Sequence, residues 1–363
     1  MEQDFCVKYS VKVLFNYLSM VSLMLGAIIG AGFLSGAEPV SFFGTDSVII
    51  TVVFGVVVMS IVFSVCFYAF KKLNDKRLCT QIFASEKLYG VVVITSAIVF
   101  TASMLAGIDA LWNSFGVLKG VPVLSTITII AIGIFVPYGV KGLEKLNLVL
   151  MPLIIIGINL LIFNKLEINL GKQKSLSFSR AFSIVVYVFI NLFISIPVMI
   201  ESAKNKTIKT LIFSTISVAL LIGVQLIIIL GALSKTNYLS ESMPLLIAIN
   251  TGGFSATYFF SLLFGTVTSA FSAYYPVYEF AKGKGGKFGT AVSAISVMII
   301  SRLGLESIVK YLYPLVALFG VLYFISLVGS IKIKVNADNK NIQNTKGRTI
   351  CQKRKRIKIK LSN

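Results

Sequence analysis

Few side chains in this sequence can do chemistry, and most of them fall in or beside apolar stretches. The run GAIIGAGFLSGAEP, residues 26–39, places Gly26, Gly30, Gly32 and Gly36 inside a segment long enough to cross a membrane and sets Glu38 at its end. A second stretch, AFSIVVYVFINLFISIPVMIES, residues 181–202, carries Tyr187, Asn191 and Pro197 and closes with Glu201. Each glycine in a helix interior costs about 1 kcal/mol relative to alanine, and proline removes a donor and crowds the preceding turn. The first and sixth apolar spans are therefore expected to be interrupted. Main chain opened inside lipid must find polar partners, and the two half-helix ends offer amide donors to an anion and carbonyls to a cation. A zwitterionic amino acid fits that field, with Gly30, Ala31, Gly32 and Ser35 on one side and Tyr187 and Asn191 on the other. The same glycines also form two G-x-x-x-G pairs, the pattern of close helix packing.

Asp109, in LAGIDALW (residues 105–112), is the acid expected well inside the membrane. A carboxylate there faces a cavity, pairs with a cation or takes a proton, so Asp109 is a candidate for proton coupling or for holding a solute's ammonium. Glu38 and Glu201, one after each interrupted span, are candidates for gating, at the outer and inner face respectively. Solvated helix ends are the simpler account of both.

These elements must be positioned by a membrane protein. The chain of 363 residues is 56% hydrophobic and 13% charged, far from the balance of a soluble domain. Ten apolar stretches are legible, at about 14–42, 47–70, 90–117, 121–139, 146–163, 181–201, 209–233, 255–277, 288–302 and 311–330. They form one transmembrane domain over 1–330, with 14–163 and 181–330 as two halves. An irregular element at matching places in two halves points to an inverted-repeat transporter site. Roughly three quarters of the 34 basic residues fall on one side when both termini are placed in the cytoplasm. The outer segment 164–180 dissents, with Lys165, Lys172, Lys174 and Arg180. The tail over 331–363 is a basic cytoplasmic segment suited to anionic lipid, without the interleaved aromatics or module of a specific nucleic-acid binder. Histidine is absent and the four cysteines are scattered, which disfavours zinc, haem, redox-dithiol and Ser-His-Asp chemistry. KGKGGKF at 282–288 is not a phosphate-binding G-x-x-x-x-G-K-[ST] loop.

IIGAGFLSGAEPVSFF, Ile28 to Phe43, resembles the first-span signature of the YkvI-like bacterial membrane protein family, and weaker likenesses follow at 104–112, at Tyr187 with Asn191, and at YLYPLVALFG (311–320). That family is similar to the amino acid, polyamine and organocation transporter superfamily. The resemblance implies an all-α LeuT-type fold of two inverted five-helix repeats, with helices one and six unwound around the solute, in a bacterial cytoplasmic membrane. It also implies a sodium site made by Gly26 and Ile29 on the first span with Gly265, Thr268 and Ser269 on the eighth. Oxygen ligands suit that hard ion, and no other cofactor is implied. Hydroxyls bonded within their own helix, and coupling to protons, are the competing accounts.

The leading expectation is a secondary transporter of a small amino-acid-like or amine solute driven by sodium or protons. A ligand sensor on the same fold, without turnover, is the second. An enzyme is disfavoured, because 14 acids and no histidine leave few catalytic combinations.

Overall fold

A computed structural model describes residues 2–73, 86–114, 120–170, 174–250, 255–284 and 286–332. The basic tail from residue 333 onward lies outside the described residues. Among the described residues all regular structure is helical: α1 (Glu2–Ile28), α2 (Ala31–Leu34), α3 (Ala37–Phe43), α4 (Val48–Lys72), α5 (Glu86–Ser114), α6 (Val123–Phe135), α7 (Gly139–Lys165), α8 (Phe178–Ala203), α9 (Ile208–Leu233), α10 (Pro244–Asn250), α11 (Ala256–Lys284), α12 (Gly286–Ser301) and α13 (Leu305–Lys332).

The helices sort their side chains for lipid. On α7, Val149, Leu153, Ile156, Leu160 and Phe163 recur at helical spacing and are 57–61% exposed, while Met151, Ile154, Ile158 and Ile162 on the other face are buried. An apolar stripe of that kind facing outward belongs against acyl chains. Among the described residues seven helical stretches are long and apolar enough to cross a bilayer, and the chain is a multi-pass membrane protein. Three features separate that number from the expected ten. The first span is divided among α1, α2 and α3. A short turn at Val136–Tyr138 joins α6 and α7 into one apolar stretch of 43 residues, and α12 has only 16.

α1 runs through the middle of the bundle and touches α7, α8, α9 and α11, while the most extensive pairings are α5 with α11 and α4 with α9. One expectation is corrected here. The sixth span is a continuous helix, α8, with Pro197 inside it. Proline is tolerated in membrane helices where neighbours accommodate the freed carbonyl, and Asn191 spends its Nδ2 on the Tyr187 carbonyl one turn back, at 3.0 Å. Its polarity is thereby used to support the helix.

The dissenting basic segment also has a physical reason. Lys165 Nζ donates to the Ile249 carbonyl at 2.9 Å, in the last turn of α10, and Arg180 donates to the Ser41 carbonyl at 3.1 Å, in the last turn of α3. Cations at helix C-termini contribute roughly 0.3–1 kcal/mol each. These two are held by local helix ends.

Candidate functional site

The centre of the bundle is built on the interruption of the first span. α1 ends where Gly30 becomes extended, with φ −113° and ψ −163°. α2 is a single turn, and Gly36, at φ 83°, reorients the chain into α3. That left-handed angle favours glycine. Pro39 is harmless in the first turn of α3, where amides lack intrahelical partners in any case. Every residue from Ser19 to Gly36 is buried.

Two clusters of polar atoms surround the interruption. In the first, Ser269 Oγ on α11 donates to the carbonyls of Gly26, at 2.7 Å, and Ile29, at 2.9 Å. One hydroxyl carries one proton, so the two carbonyls share it. Gly265 lies alongside, and a methyl group there would stand 3.7 Å from the Ile29 oxygen. Thr268 is turned away, with its hydroxyl donating to the Gly265 carbonyl of its own helix at 3.0 Å. Asn147 on α7 is fully buried and packs against Gly26, and neither its Oδ1 nor its Nδ2 has a hydrogen-bond partner. The structure thus gathers Gly26, Ile29 and Ser269, with Gly265 beside them, and adds Asn147, which sequence reasoning missed. An amide inside the apolar run NLVLMPL was its only signal. Carbonyl, hydroxyl and amide oxygens are ligands for a hard cation such as sodium, and an Asn with no partner next to two carbonyls sharing one proton fits such an ion. Among the described residues no group of three or more His, Cys, Asp or Glu side chains stands ready for a transition metal.

The second cluster lies beyond the interruption. The Ala31 amide points at Met104 Sδ, 3.4 Å away, a weak acceptor. Ser35 Oγ donates to the Gly32 carbonyl at 3.1 Å, the Leu34 carbonyl receives the Tyr258 hydroxyl at 2.8 Å, and the Ser35 carbonyl receives the Leu245 amide at 2.8 Å. Tyr258→Phe leaves the Leu34 oxygen buried and unpaired, and an expected loss of about 1–3 kcal/mol follows, readable as an earlier unfolding transition in detergent. Tyr187 packs against Phe42 and Phe43, with ring centroids at 5.3 Å in each pair.

Of the acids, Glu38 stands where the sequence did not foretell it, while Asp109 pairs with a cation and Glu201 keeps a half-exposed helix end, each an outcome the sequence allowed. Glu38, expected at an outer surface, is 3% exposed, packs on Gly32 and receives the Tyr313 hydroxyl at 3.2 Å. Asp109, expected to face the solute, is paired instead with Arg302 at 3.4 Å, on the turn that follows α12. Hydropathy alone misassigned Glu38 because α3 folds it back over α2, and it could not say that the cation at Asp109 would be Arg302 of the protein itself. Glu201 is half-exposed, pairs with Lys204 at 2.6 Å and lies on the rim of a cavity of about 430 Å³. In that cavity wall Lys206 Nζ, 5% exposed, meets Glu144 Oε1 at 2.6 Å and Ser202 Oγ at 2.5 Å, and Ser202 also bonds to Glu144. A second cavity, of about 400 Å³, opens at the opposite end between α3 and α13, lined by Ala37, Ser41, Phe42, Leu305, Val309 and Pro314 among others.

A multi-pass bundle with its first span broken at the core and flanked by cavities at both ends has the architecture of LeuT-type transporters. The solved structures that the chain resembles bear this out at the level of fold. MhsT in complex with L-phenylalanine matches with a TM-score of 0.56 at 12% identity, over 85% of this chain and 95% of that one. Mhp1, a nucleobase-cation-symport-1 family transporter in a closed conformation with bromovinylhydantoin bound, matches with a TM-score of 0.58 at 16% identity, over 86% and 75%. No protein-family model and no curated protein matches the sequence.

Proposed function

We propose that the protein is a secondary active transporter of a small amino-acid-like or amine solute, coupled to sodium or protons, in a bacterial cytoplasmic membrane with both termini inside. The observation that carries this reading is the oxygen cluster at the interruption, where Ser269 bridges the Gly26 and Ile29 carbonyls across α1 and α11. An ion there ties the two helices together only in states where they touch, so its binding energy discriminates between conformations. The cation symport named for Mhp1 and the amino acid bound to MhsT support the same reading.

Ten spans in two inverted halves are part of the proposal. The pairing of α4 with α9 and of α5 with α11 supports it, since a two-fold axis would set the second and third spans of one half on those of the other. On that scheme the cavity beside Lys206 is the inner vestibule and the one beside Phe42 the outer. The Ile28 to Phe43 signature favours a place among YkvI-like proteins, and the basic tail an association with anionic lipid.

Purified protein in liposomes is expected to accumulate a radiolabelled amino acid or amine when a sodium or proton gradient is imposed. Ser269→Ala should lower the cation dependence of uptake by roughly tenfold or more, the loss of one ligand to a desolvated ion amounting to about 1.4 kcal/mol or above. Absence of gradient-driven uptake across the whole panel would remove the transporter reading.

A further inference from the structure

Glu38 has no basic partner among the described residues. Among the described residues the ion pairs occupy Asp109, Glu144, Glu167 and Glu201, and no Lys or Arg comes within pairing distance of the Glu38 carboxyl. A buried carboxylate left so is rare inside a membrane and marks function. Its one hydrogen bond is contested as well. Tyr313 OH lies 3.2 Å from Glu38 and 2.9 Å from Ser103 Oγ, and Ser103 in turn lies 2.8 Å from the Phe100 carbonyl. With Glu38 ionised, two hydroxyl protons serve three contacts.

The surroundings of this carboxyl are built around it. The Tyr187 hydroxyl is buried, closes no hydrogen bond of good geometry among the described residues, and has the Asn191 and Glu38 side chains as polar neighbours. The rings of Phe42 and Phe43 enclose Tyr187. A π-helical turn at Ile308–Leu312 directly precedes Tyr313 on α13, a distortion that recurs at functional sites. The second cavity ends on Ala37, Phe42 and Pro314, the chain neighbours of Glu38, Phe43 and Tyr313.

We infer that Glu38 is the counter-ion of a solute's ammonium group, which makes the transported compound an amine-bearing one held by Glu38 and the Tyr187 hydroxyl under the aromatic rings. An ammonium has three donors and no acceptor. It supplies both oxygens at once, and aromatic faces attract the same charge. This deepens the transporter reading, on which it rests only for the solute's passage, since the binding step is separately measurable.

The full-length protein in detergent is melted in the presence of the standard amino acids, the amines formed by their decarboxylation, and the matching 2-hydroxy acids. A compound that binds the native form raises the transition. At least one ammonium-bearing compound is expected to do so while its hydroxy counterpart does not. Glu38→Gln should weaken its apparent affinity by about tenfold or more, as loss of a charge-assisted bond implies. Tyr187→Phe keeps the ring and removes a hydroxyl that closes no hydrogen bond of good geometry among the described residues, so it folds like the parent and should still weaken binding, which keeps the test decisive if Glu38→Gln does not fold. The inference is overturned if hydroxy acids stabilise as well as amines, if no ammonium-bearing compound stabilises, or if the variants keep full affinity. Amine binding lost in Glu38→Gln without any flux in liposomes upholds this inference and removes the transporter reading. Flux of a compound without an amine, unaffected by Glu38→Gln, does the reverse.

Discussion

Lys206→Met is expected to destabilise the protein by about 3–5 kcal/mol, because it leaves the largely buried Glu144 carboxylate without its cation. Ser202, bonded to both side chains, has one proton and cannot replace an ammonium. The double variant Glu144→Gln, Lys206→Met should recover most of the loss, since removing both charges also removes the cost of burying either. Denaturation of all four proteins in one detergent closes the cycle. A single variant as stable as the parent would show that the pair holds nothing. The cluster joins the start of α7 to the end of α8 beneath Met20 of α1. On the proposed reading it must open for release toward the cytoplasm, and the double variant should therefore transport faster than the parent if opening limits turnover.

Gly30→Leu is expected to reduce transport to background and to erase any cation-dependent rise in melting temperature. The extended backbone at Gly30 is open to any residue, so the penalty is one of space. A Cβ there would lie 2.5 Å from Met104 Sδ and 3.3 Å from Ser269 Cβ. Met104 is flexible and yields, but Ser269 sits on a packed helix, and displacing it withdraws its hydroxyl from the Gly26 and Ile29 carbonyls. Overpacking of this kind costs about 1–3 kcal/mol. Gly30→Ala brings only that Cβ, which Met104 absorbs by moving and Ser269 by a shift of a few tenths of an ångström, and should be mild by comparison. Undiminished flux in Gly30→Leu would place the solute and the ion elsewhere.

What the sequence made legible was largely a matter of period and composition. The glycine run predicted the break in the first span because the low helix propensity of glycine acts locally. Pro197 and Asn191 carried the same local signal in the sixth span, yet α8 stays continuous, since tertiary packing decides whether a weak point opens. The acids show the same boundary. Nothing within a few residues of Glu38 announces that Tyr313, 275 positions away, will bury it, or that Arg302 will reach Asp109. Asn147 and the Glu144–Lys206 pair were invisible for that reason too: each matters through a neighbour on another helix, and a linear reading has no access to such neighbours.

The short helix α10 is attached to the broken span through a main-chain bond, the Leu245 amide on the Ser35 carbonyl, beside the Pro244 and Leu245 side chains packed at Gly36. That link is blind to side-chain identity, so α10 is geared to the stub it hangs from. Any tilt of α2 about Gly36 is therefore expected to be carried through that bond to the exposed residues 239–242 that lead into α10.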